Sequence, residues 1–361
     1  MNEFEHKLWM DFHERNKNPL WRLDKSHHGL TNADLNHGEA FGNVTEVRAN
    51  PWHLEGTVYT HTAMVFQEAM RLTDKFTGDK NELLFSSLAH DLGKPFMRGV
   101  DLEKEKVSFM GHDYTSALMC LNWGKEYFGE TELLKIAKAV ALHTTMFKVD
   151  DISPYIDFTD LHTLLRGLSV ADNKGRFSLS EEDDRNPKYD REQDDRHPDL
   201  HWDKDKPWLT VMIGIPGSGK STVAERYGKV FSTDALLEDI AEKEFGVVGD
   251  YGKAFQVVSE SKFNWVEMNL LNAEKYAKEN SGDIVIDATN LVRKKRRGIV
   301  NRFKKNFNIR FVKVWRDFED CRKSRSKNSG KFISDAIYRR MLYSFAYPTR
   351  EEYTHMEDVL V

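Results

Sequence analysis

Apolar residues recur every three or four positions from Thr57 to Arg71 (TVYTHTAMVFQEAMR), and the same spacing returns in Asn81–His90, Glu132–His143 and Leu161–Ala171. That period predicts amphipathic helices. Strand patterns are scarce before residue 175, so the first part of the chain is expected to be all-α. Beyond residue 207 the pattern changes. Short apolar runs at Leu209-Thr-Val-Met-Ile, Val230-Phe-Ser-Thr, Asp283-Ile-Val-Ile and Ile309-Arg-Phe-Val-Lys-Val alternate with helical stretches. This alternation predicts a parallel sheet with right-handed crossovers. Between the two patterns, Arg176 to Pro207 is dominated by charge and by proline, which breaks helices. The expected organisation is multidomain α + α/β: a helical domain over 1–180, a charged linker over 181–206 and an α/β domain over 207–361.

A length of 361 residues suits two domains, at roughly 100–200 residues each. The net charge of −5 argues against a protein that coats nucleic acid over its whole surface. Two cysteines far apart, Cys120 and Cys321, provide neither a disulfide framework nor a cysteine zinc site. The charged N-terminus MNEFEHKLWMDFHERNK lacks a signal-peptide core. No apolar run approaches the roughly 20 residues of a membrane span. No membrane partner is therefore expected, and the cytoplasm is the expected compartment.

The segment Gly214-Ile-Pro-Gly217-Ser218-Gly219-Lys220-Ser221-Thr222 fits G-x-x-x-x-G-K-[ST] and lies between a predicted strand and a predicted helix. Its glycines let backbone N–H groups turn inward around phosphates, and the helix N-terminus adds partial positive charge. Lys220 reaches the β- and γ-phosphates and Ser221 holds Mg²⁺, so ATP or another NTP with Mg²⁺ is the expected ligand. Asp234 closes the next predicted strand. It either accepts the proton of an incoming hydroxyl or caps the helix that follows. The third strand ends in Asp287-Ala-Thr289-Asn290. Asp287 there orients Mg²⁺ while Thr289 and Asn290 hold the acceptor, or the four residues simply make a turn. From Arg293 to Lys331, sixteen Lys or Arg face three Asp or Glu. Lys294, Lys295, Arg296 and Arg297 read equally as a phosphate-attracting surface or a solvated face. Arg322 and Arg325 precede a glycine-containing loop, as arginines of a phosphate lid would.

This series resembles the polynucleotide kinase family over roughly 208–350, including the closing Ile337-Tyr-Arg-Arg-Met341 and Pro348-Thr-Arg-Glu-Glu. The resemblance implies a P-loop kinase of 5′-hydroxyl ends with Asp234 as base and lid arginines at Arg322 and Arg325. One position departs. The family carries an arginine three residues after the base, where it engages the acceptor phosphate, and here Leu237 stands. Arg293 or Arg297 is expected to substitute, or the acceptor is bound differently.

Fourteen histidines is a high count. His61, His90-Asp91, His112, His143 and Asp172 each fall in or beside a predicted helix. Histidine and carboxylate ligands on facing helices build metal centres inside bundles. The order H…HD…H…H…D, with His90-Asp-Leu-Gly-Lys94 its most specific piece, resembles the HD-domain phosphohydrolases over about 50–175. The resemblance implies His61, His90, Asp91 and Asp172 on one metal, and Asp91, His112 and His143 on a second, with Asp91 bridging. Mixed nitrogen and oxygen ligands admit Mn²⁺, Fe²⁺, Co²⁺, Ni²⁺ or Zn²⁺. Lys94 either neutralises a phosphoryl oxygen or solvates a helix end. Arg22, His27, His28, His37 and His53 are candidate pocket residues, but no spacing supports them, and surface or capping roles are expected.

An HD domain ahead of a polynucleotide kinase resembles the HD-Pnk end-healing enzymes. That likeness implies RNA or DNA ends as substrates, a 2′,3′-cyclic or terminal phosphate removed by the first domain, a 5′-phosphate added by the second, and a separate ligase as partner. The alternative reading is an HD nucleotidase joined to a small-molecule kinase.

Overall fold

The computed structural model describes residues 1–35, 46–48, 50–156, 160–178, 202–326 and 330–361. The chain divides into two compact units, Met1–Gln193 and Asp194–Val361. Most of the expected linker, 181–201, and His37 lie outside the described residues. Asp203 and Lys206 do not behave as a loose tether: the Asn308 amide donates to both of their carbonyls at 2.7 and 2.9 Å. Among the described residues no helix is long and apolar enough to cross a membrane.

The first unit is a helical bundle built from α1 (Glu3–Arg15), α2 (Val58–Leu72), α3 (Lys80–Ala89), α4 (His112–Met119), α5 (Glu130–Leu142) and α6 (Asp160–Lys174). On α2 the buried residues Val58, His61, Thr62, Val65, Phe66 and Ala69 follow the helical period, so His61 sits within the apolar stripe. Every residue of α3 from Glu82 to Ala89 is buried, as expected of a central helix with neighbours all round. Asp79 caps it by accepting from Asn81 and Glu82. Helix α1 closes the bundle through its apolar stripe and through Asp11, which accepts from Trp123 Nε1 at 2.7 Å and Tyr127 Oη at 2.9 Å. The unit is not wholly helical. Gly99–Asp101 pairs with Lys106–Ser108, and Leu30–Thr31 with Glu46–Arg48, both antiparallel. These pairs are two or three residues long, too short for alternation to register in the sequence.

The second unit carries a five-stranded parallel sheet. Its strands are β1 (Trp208–Ile213), β2 (Lys229–Ser232), β3 (Ile284–Asp287), β4 (Asn308–Trp315) and β5 (His355–Leu360), in the order β2-β3-β1-β4-β5. Strands β1 and β3 are apolar on both faces because helices cover both sides. The connections contain α7 (Lys220–Ala224), α8 (Thr233–Phe245), α9 (Tyr251–Glu260), α10 (Trp265–Glu279) and α11 (Arg293–Phe303), and α12 (Asp335–Tyr343) precedes β5. The order reverses around β1, which opens a crevice at the carboxyl ends of the strands.

Arg296, expected on a basic surface, is fully buried. Its guanidinium pairs with Glu352 at 2.9 and 3.1 Å and donates to the carbonyls of Asn290 and Leu291. It therefore ties the turn after β3 to the segment before β5. Removing one partner of a buried pair leaves an uncompensated charge, a loss of about 3 kcal/mol or more. Glu352→Gln is expected to destabilise the second unit by that amount, seen as a lower urea midpoint in denaturation followed by circular dichroism.

Candidate functional sites

In the first unit the chain places its candidate ligands at helix ends. His90 and His143 are the C-cap residues of α3 and α5, and His112 opens α4. Each Nδ1 faces a backbone carbonyl three residues back: Ser87 at 2.8 Å, Val140 at 2.7 Å and Phe109 at 2.7 Å. A carbonyl only accepts, so each Nδ1 carries the proton and each neutral Nε2 keeps a free lone pair. Those Nε2 atoms converge. His61 and His90 approach to 3.4 Å, and His112 and His143 to 3.3 Å. Asp172 Oδ1 lies 3.1 Å from His61 and 3.8 Å from His90.

Asp91 stands between the pairs. Its Oδ2 lies 3.6 Å from His61 and 3.3 Å from His90; its Oδ1 lies 3.2 Å from His112 and 3.9 Å from His143. Two donor groups result, His61–His90–Asp172 and Asp91–His112–His143. Ligands held at about 2.1 Å from a shared ion lie about 3–3.5 Å apart, close to the spacings seen here. Both Asp91 oxygens are buried, and Oδ2 is paired with the Lys94 ammonium at 2.7 Å. Lone pairs of His112 and His143 face each other, and Asp91 Oδ1 faces both. A pair of divalent cations answers these facing lone pairs, so the donor set fits such ions.

The electrostatics follow from burial and charge. Burial acts to lower the His61 pKa, but the Asp172 and Glu55 carboxylates overcome it and raise it to about 9. Burial, reinforced by His112 and His90, lowers His143 to about 4. Asp91 and Asp172 are held well below the ordinary carboxylate range: burial opposes this, and the surrounding histidines outweigh it, with Lys94 adding at Asp91.

Three residues here differ from expectation. Lys94 is buried, with Nζ 2.7 Å from Asp91 Oδ2, so it does not solvate a helix end. His28 and His53 are not surface residues. His28 is 1% exposed, their rings lie 4.1 Å apart, and Lys94 Nζ is 3.2 Å from His28 Nε2. Glu55, which no motif singled out, places Oε1 2.8 Å from His53 Nδ1 and 2.9 Å from His61 Nδ1. It orients a ligand histidine from behind. Burial and the Lys94 charge hold the His28 pKa well below its usual value. The only available signal was the sequence crowding of His53 and Glu55, and period counting passes over such a loop. Arg22 and His27 are not among the ligand groups.

In the second unit the turn after β1 wraps a cavity of about 590 Å³. Gly217 and Gly219 adopt φ of 82° and 89°, where side chains are disfavoured. A Cβ on Gly217 would also come within 2.5 Å of the Cys321 carbonyl. The turn is held from outside by Arg316, which donates to Gly217 O at 2.9 Å, and by Tyr338, which shares its hydroxyl between Pro216 O and Cys321 O. Ser221 donates to Asp287 Oδ2 at 2.7 Å, joining the two groups expected around Mg²⁺. Lys220 donates to Ile215 O at 2.8 Å; burial lowers its pKa against the pull of Asp287 and Asp234. Gly217, Gly219, Lys220, Ser221, Thr222, Asp234, Asp287 and Arg325 all line this cavity. Gly214 and Ser218 lie behind it: Gly214 N donates to Thr289 O, and Ser218 is buried.

Asp234 is not the helix cap. Ser232 takes that role for α8, and Asp234 lies in the first turn, where Oδ1 accepts from the Tyr251 hydroxyl at 2.9 Å. Burial and the Asp234 charge push the Tyr251 phenol upward, keeping it protonated as a donor. Leu237 is fully buried in a cluster with Ile240, Ala241, Ala254 and Val258; it faces the core beneath α9. Arg293 and Arg297 do not replace the missing arginine, because they line a separate hollow beside Glu352. Lys294, Lys295, Arg302 and Lys331 reach the main cavity instead. Arg322 is absent from its lining and forms a two-bond pair with Asp335 at 2.9 and 2.8 Å. Asn290 donates to Met212 O at 2.8 Å from a left-handed backbone (φ 45°), so its amide pins the turn.

Two outcomes are expected. Asp91→Ala, which removes the carboxylate standing between the two groups, lowers bound divalent metal below half the wild-type content by elemental analysis of the purified chain. Tyr251→Phe leaves nucleotide affinity within about twofold but reduces turnover about tenfold, the scale of one hydrogen bond to a charged group. A parallel loss of nucleotide affinity would remove Tyr251 from the positioning of Asp234.

Residues 58–176 match the family model of the HD domain, and residues 209–348 match that of an AAA domain. No curated protein matches the chain significantly. Among solved structures, the chain is similar to a candidate kinase from Chloroflexus aurantiacus j-10-fl, with 14% identity over 43% of this chain and 89% of that one and a TM-score of 0.33. It is also similar to a gluconokinase from Sinorhizobium meliloti 1021, with 20% identity over 42% of this chain and 83% of that one and a TM-score of 0.29. The chain thus carries an HD phosphohydrolase domain followed by a P-loop kinase domain, the architecture of an HD domain fused to a kinase.

Proposed function

We propose that this protein heals broken nucleic-acid ends, phosphorylating a 5′-hydroxyl with its second domain and removing a 2′,3′-cyclic or terminal phosphate with its first. The observation that carries the reading is the rest of the cavity lining beyond the P-loop. There Tyr251, Phe255 and Trp265 line the cavity together with Lys294, Lys295, Arg325 and Lys331. Phe255 is 48% exposed and packs edge-on against Trp265 at 5.7 Å. Half-exposed aromatic rings among cations suit stacked bases and phosphates of a strand.

In the kinase site, Asp234 takes the proton of the acceptor hydroxyl as that oxygen bonds to the γ-phosphorus and the bond to the β-phosphate oxygen breaks. Tyr251 fixes the carboxylate for this step. Lys220 and Arg325 offset charge on the transferring group, and Ser221 with Asp287 holds Mg²⁺. In the HD site, His61, His90, Asp172 and Asp91 would hold one divalent ion, and Asp91, His112 and His143 the other. Such a pair supplies an acidified water and a clamp on phosphate oxygens. Glu55 keeps His61 Nε2 directed at the ions, and burial excludes bulk water. The product ends would suit a separate ligase.

Leu237 favours a second reading, a kinase of a small acceptor without phosphates, because no arginine projects from that position. One experiment separates the two. An oligonucleotide bearing a 5′-hydroxyl and a 2′,3′-cyclic phosphate is incubated with ATP, Mg²⁺ and Mn²⁺, against nucleosides and sugar acids as acceptors. Phosphate is expected on the oligonucleotide 5′ end and lost from the cyclic end. Lys220→Ala or Asp234→Ala is expected to lower only the first activity at least 100-fold, and Asp91→Ala only the second. Preference for a nucleoside or a sugar acid would overturn the reading.

A further inference from the structure

Helix α11 walls the main cavity with one of its faces, through Lys294, Lys295 and Arg302. Another face lines a separate hollow of about 240 Å³. Arg293, Arg297 and Lys304 stand along that hollow, at positions i, i+4 and i+11, which share a helix face. Lys206 joins them from the segment before β1. The lining does not neutralise these cations. Of its two carboxylates, Glu352 is buried and already held by two bonds from Arg296, with Arg293 Nε a further 3.4 Å away; Glu351 is exposed. Lys206 pairs with Asp203 at 3.4 Å, an open pair of little strength. Arg297 and Lys304 are exposed, and among the described residues no carboxylate lies within ion-pair distance of either. Like charges gathered along one groove repel, and an anion relieves that repulsion.

The shape of the hollow selects the anion. Its only ring belongs to Phe307, which is buried, so no aromatic face is offered to a base. Cations without an exposed ring suit the phosphates of a strand rather than its bases. The row is also long. Arg293 to Lys304 covers about 16 Å of helix axis, the length of about five phosphates in a stacked strand. Both ends are fixed: Arg293 donates to Tyr347 O at 3.3 Å, and Asn308 holds the carbonyl of Lys206 at 2.9 Å. Arg293 and Lys294 are neighbours in the chain and line one cavity each. The start of α11 is therefore the rim that the two cavities share.

We propose that this hollow is a track for the sugar-phosphate backbone of the acceptor strand. A strand with its 5′ end at Asp234 crosses the rim between Lys294 and Arg293 and lays its downstream phosphates against Arg297, Lys304 and Lys206. The inference rests on the end-healing reading and deepens it, because it gives the acceptor a preferred length and a grip that ignores sequence.

The test compares 5′-hydroxyl acceptors of two lengths in the kinase reaction of the full-length chain, at saturating ATP and Mg²⁺ and over a range of salt. One is a dinucleotide, whose single phosphate stays in the main cavity; the other has about a dozen nucleotides. Wild type is expected to show a KM for the longer acceptor at least about tenfold below that for the dinucleotide. Arg297→Ala combined with Lys304→Ala raises the longer acceptor's KM about tenfold and lowers its salt slope by about 1.4, the share of two single-strand phosphates. The same variant leaves kcat and the dinucleotide KM within about twofold. Arg297→Lys with Lys304→Arg, which keeps both charges, stays near wild type. An unchanged KM and salt slope for the longer acceptor in the alanine variant would overturn the proposal. So would an equal rise for both acceptors, which would move the two cations to the reacting end. Wild type that phosphorylates a nucleoside or a sugar acid but neither oligonucleotide would instead sink the end-healing reading, and the track with it.

Discussion

The first unit is organised around one buried negative charge. Asp91 is 1% exposed, and the Lys94 ammonium pairs with its Oδ2 at 2.7 Å. A carboxylate in that position is tolerated only with compensating charge or a metal. Four histidines, Lys94 and Asp172 surround it: His90 and Lys94 flank it in the chain, and His61, His112, His143 and Asp172 come from α2, α4, the end of α5 and α6. Their delivery also satisfies another requirement. A helix end leaves carbonyls without partners, and His90 and His143 answer this by donating Nδ1–H to Ser87 O and Val140 O within their own last turns. The bond that completes the helix also fixes the tautomer and aims Nε2. Ligand orientation is therefore a by-product of helix termination, and the centre is pre-organised by local backbone geometry.

The second unit solves the same problem with backbone turns. Gly217 and Gly219 accept conformations that a Cβ would resist, and Asn290 takes a left-handed φ that its own amide stabilises through Met212 O. Arg296, buried against Glu352, grips the carbonyls at the far end of that turn. The polar groups at the carboxyl ends of β1 and β3 thus stand on frameworks fixed from the core side. The cavity-facing groups, Ser221, Asp234 and Asp287, need only short side chains to meet.

Much of this was legible from spacing. The apolar period located α2, α3, α5 and α6 to within two residues or so, and the four apolar runs anticipated β1 to β4. The P-loop and the H…HD…H…H…D order carried their residues to two places in space because each motif residue sits at an element end, where short-range pattern and tertiary position coincide. What escaped has a common cause. Strand β5, HMEDVL, lies at the sheet edge with most of its residues only half-buried, so its pattern is polar. Arg296 read as one of four surface cations, because local charge says nothing of a partner 56 residues away. His28, His53 and Glu55 lie in loops without period, and the loop around His28 is held by Arg98 from another segment, which donates to His27 O and Gly29 O. The expectation for Arg322 failed because Asp335, thirteen residues on, takes up its guanidinium.

The two donor groups are unequal, and the inequality bears on how such a centre would work. His61, His90 and Asp172 form one set with Asp91 Oδ2 beside them; the other contains only His112, His143 and Asp91 Oδ1. An ion with fewer protein ligands keeps more positions for water and substrate. Exposure does not follow that division: each group has one partly exposed side chain, Asp172 at 15% and His112 at 13%, among ligands that are buried. The second group is therefore the less saturated, though no more open than the first. An ion held by His112, His143 and Asp91 would therefore have the more room for water, while the first group, backed by Glu55, would hold its own ion more completely.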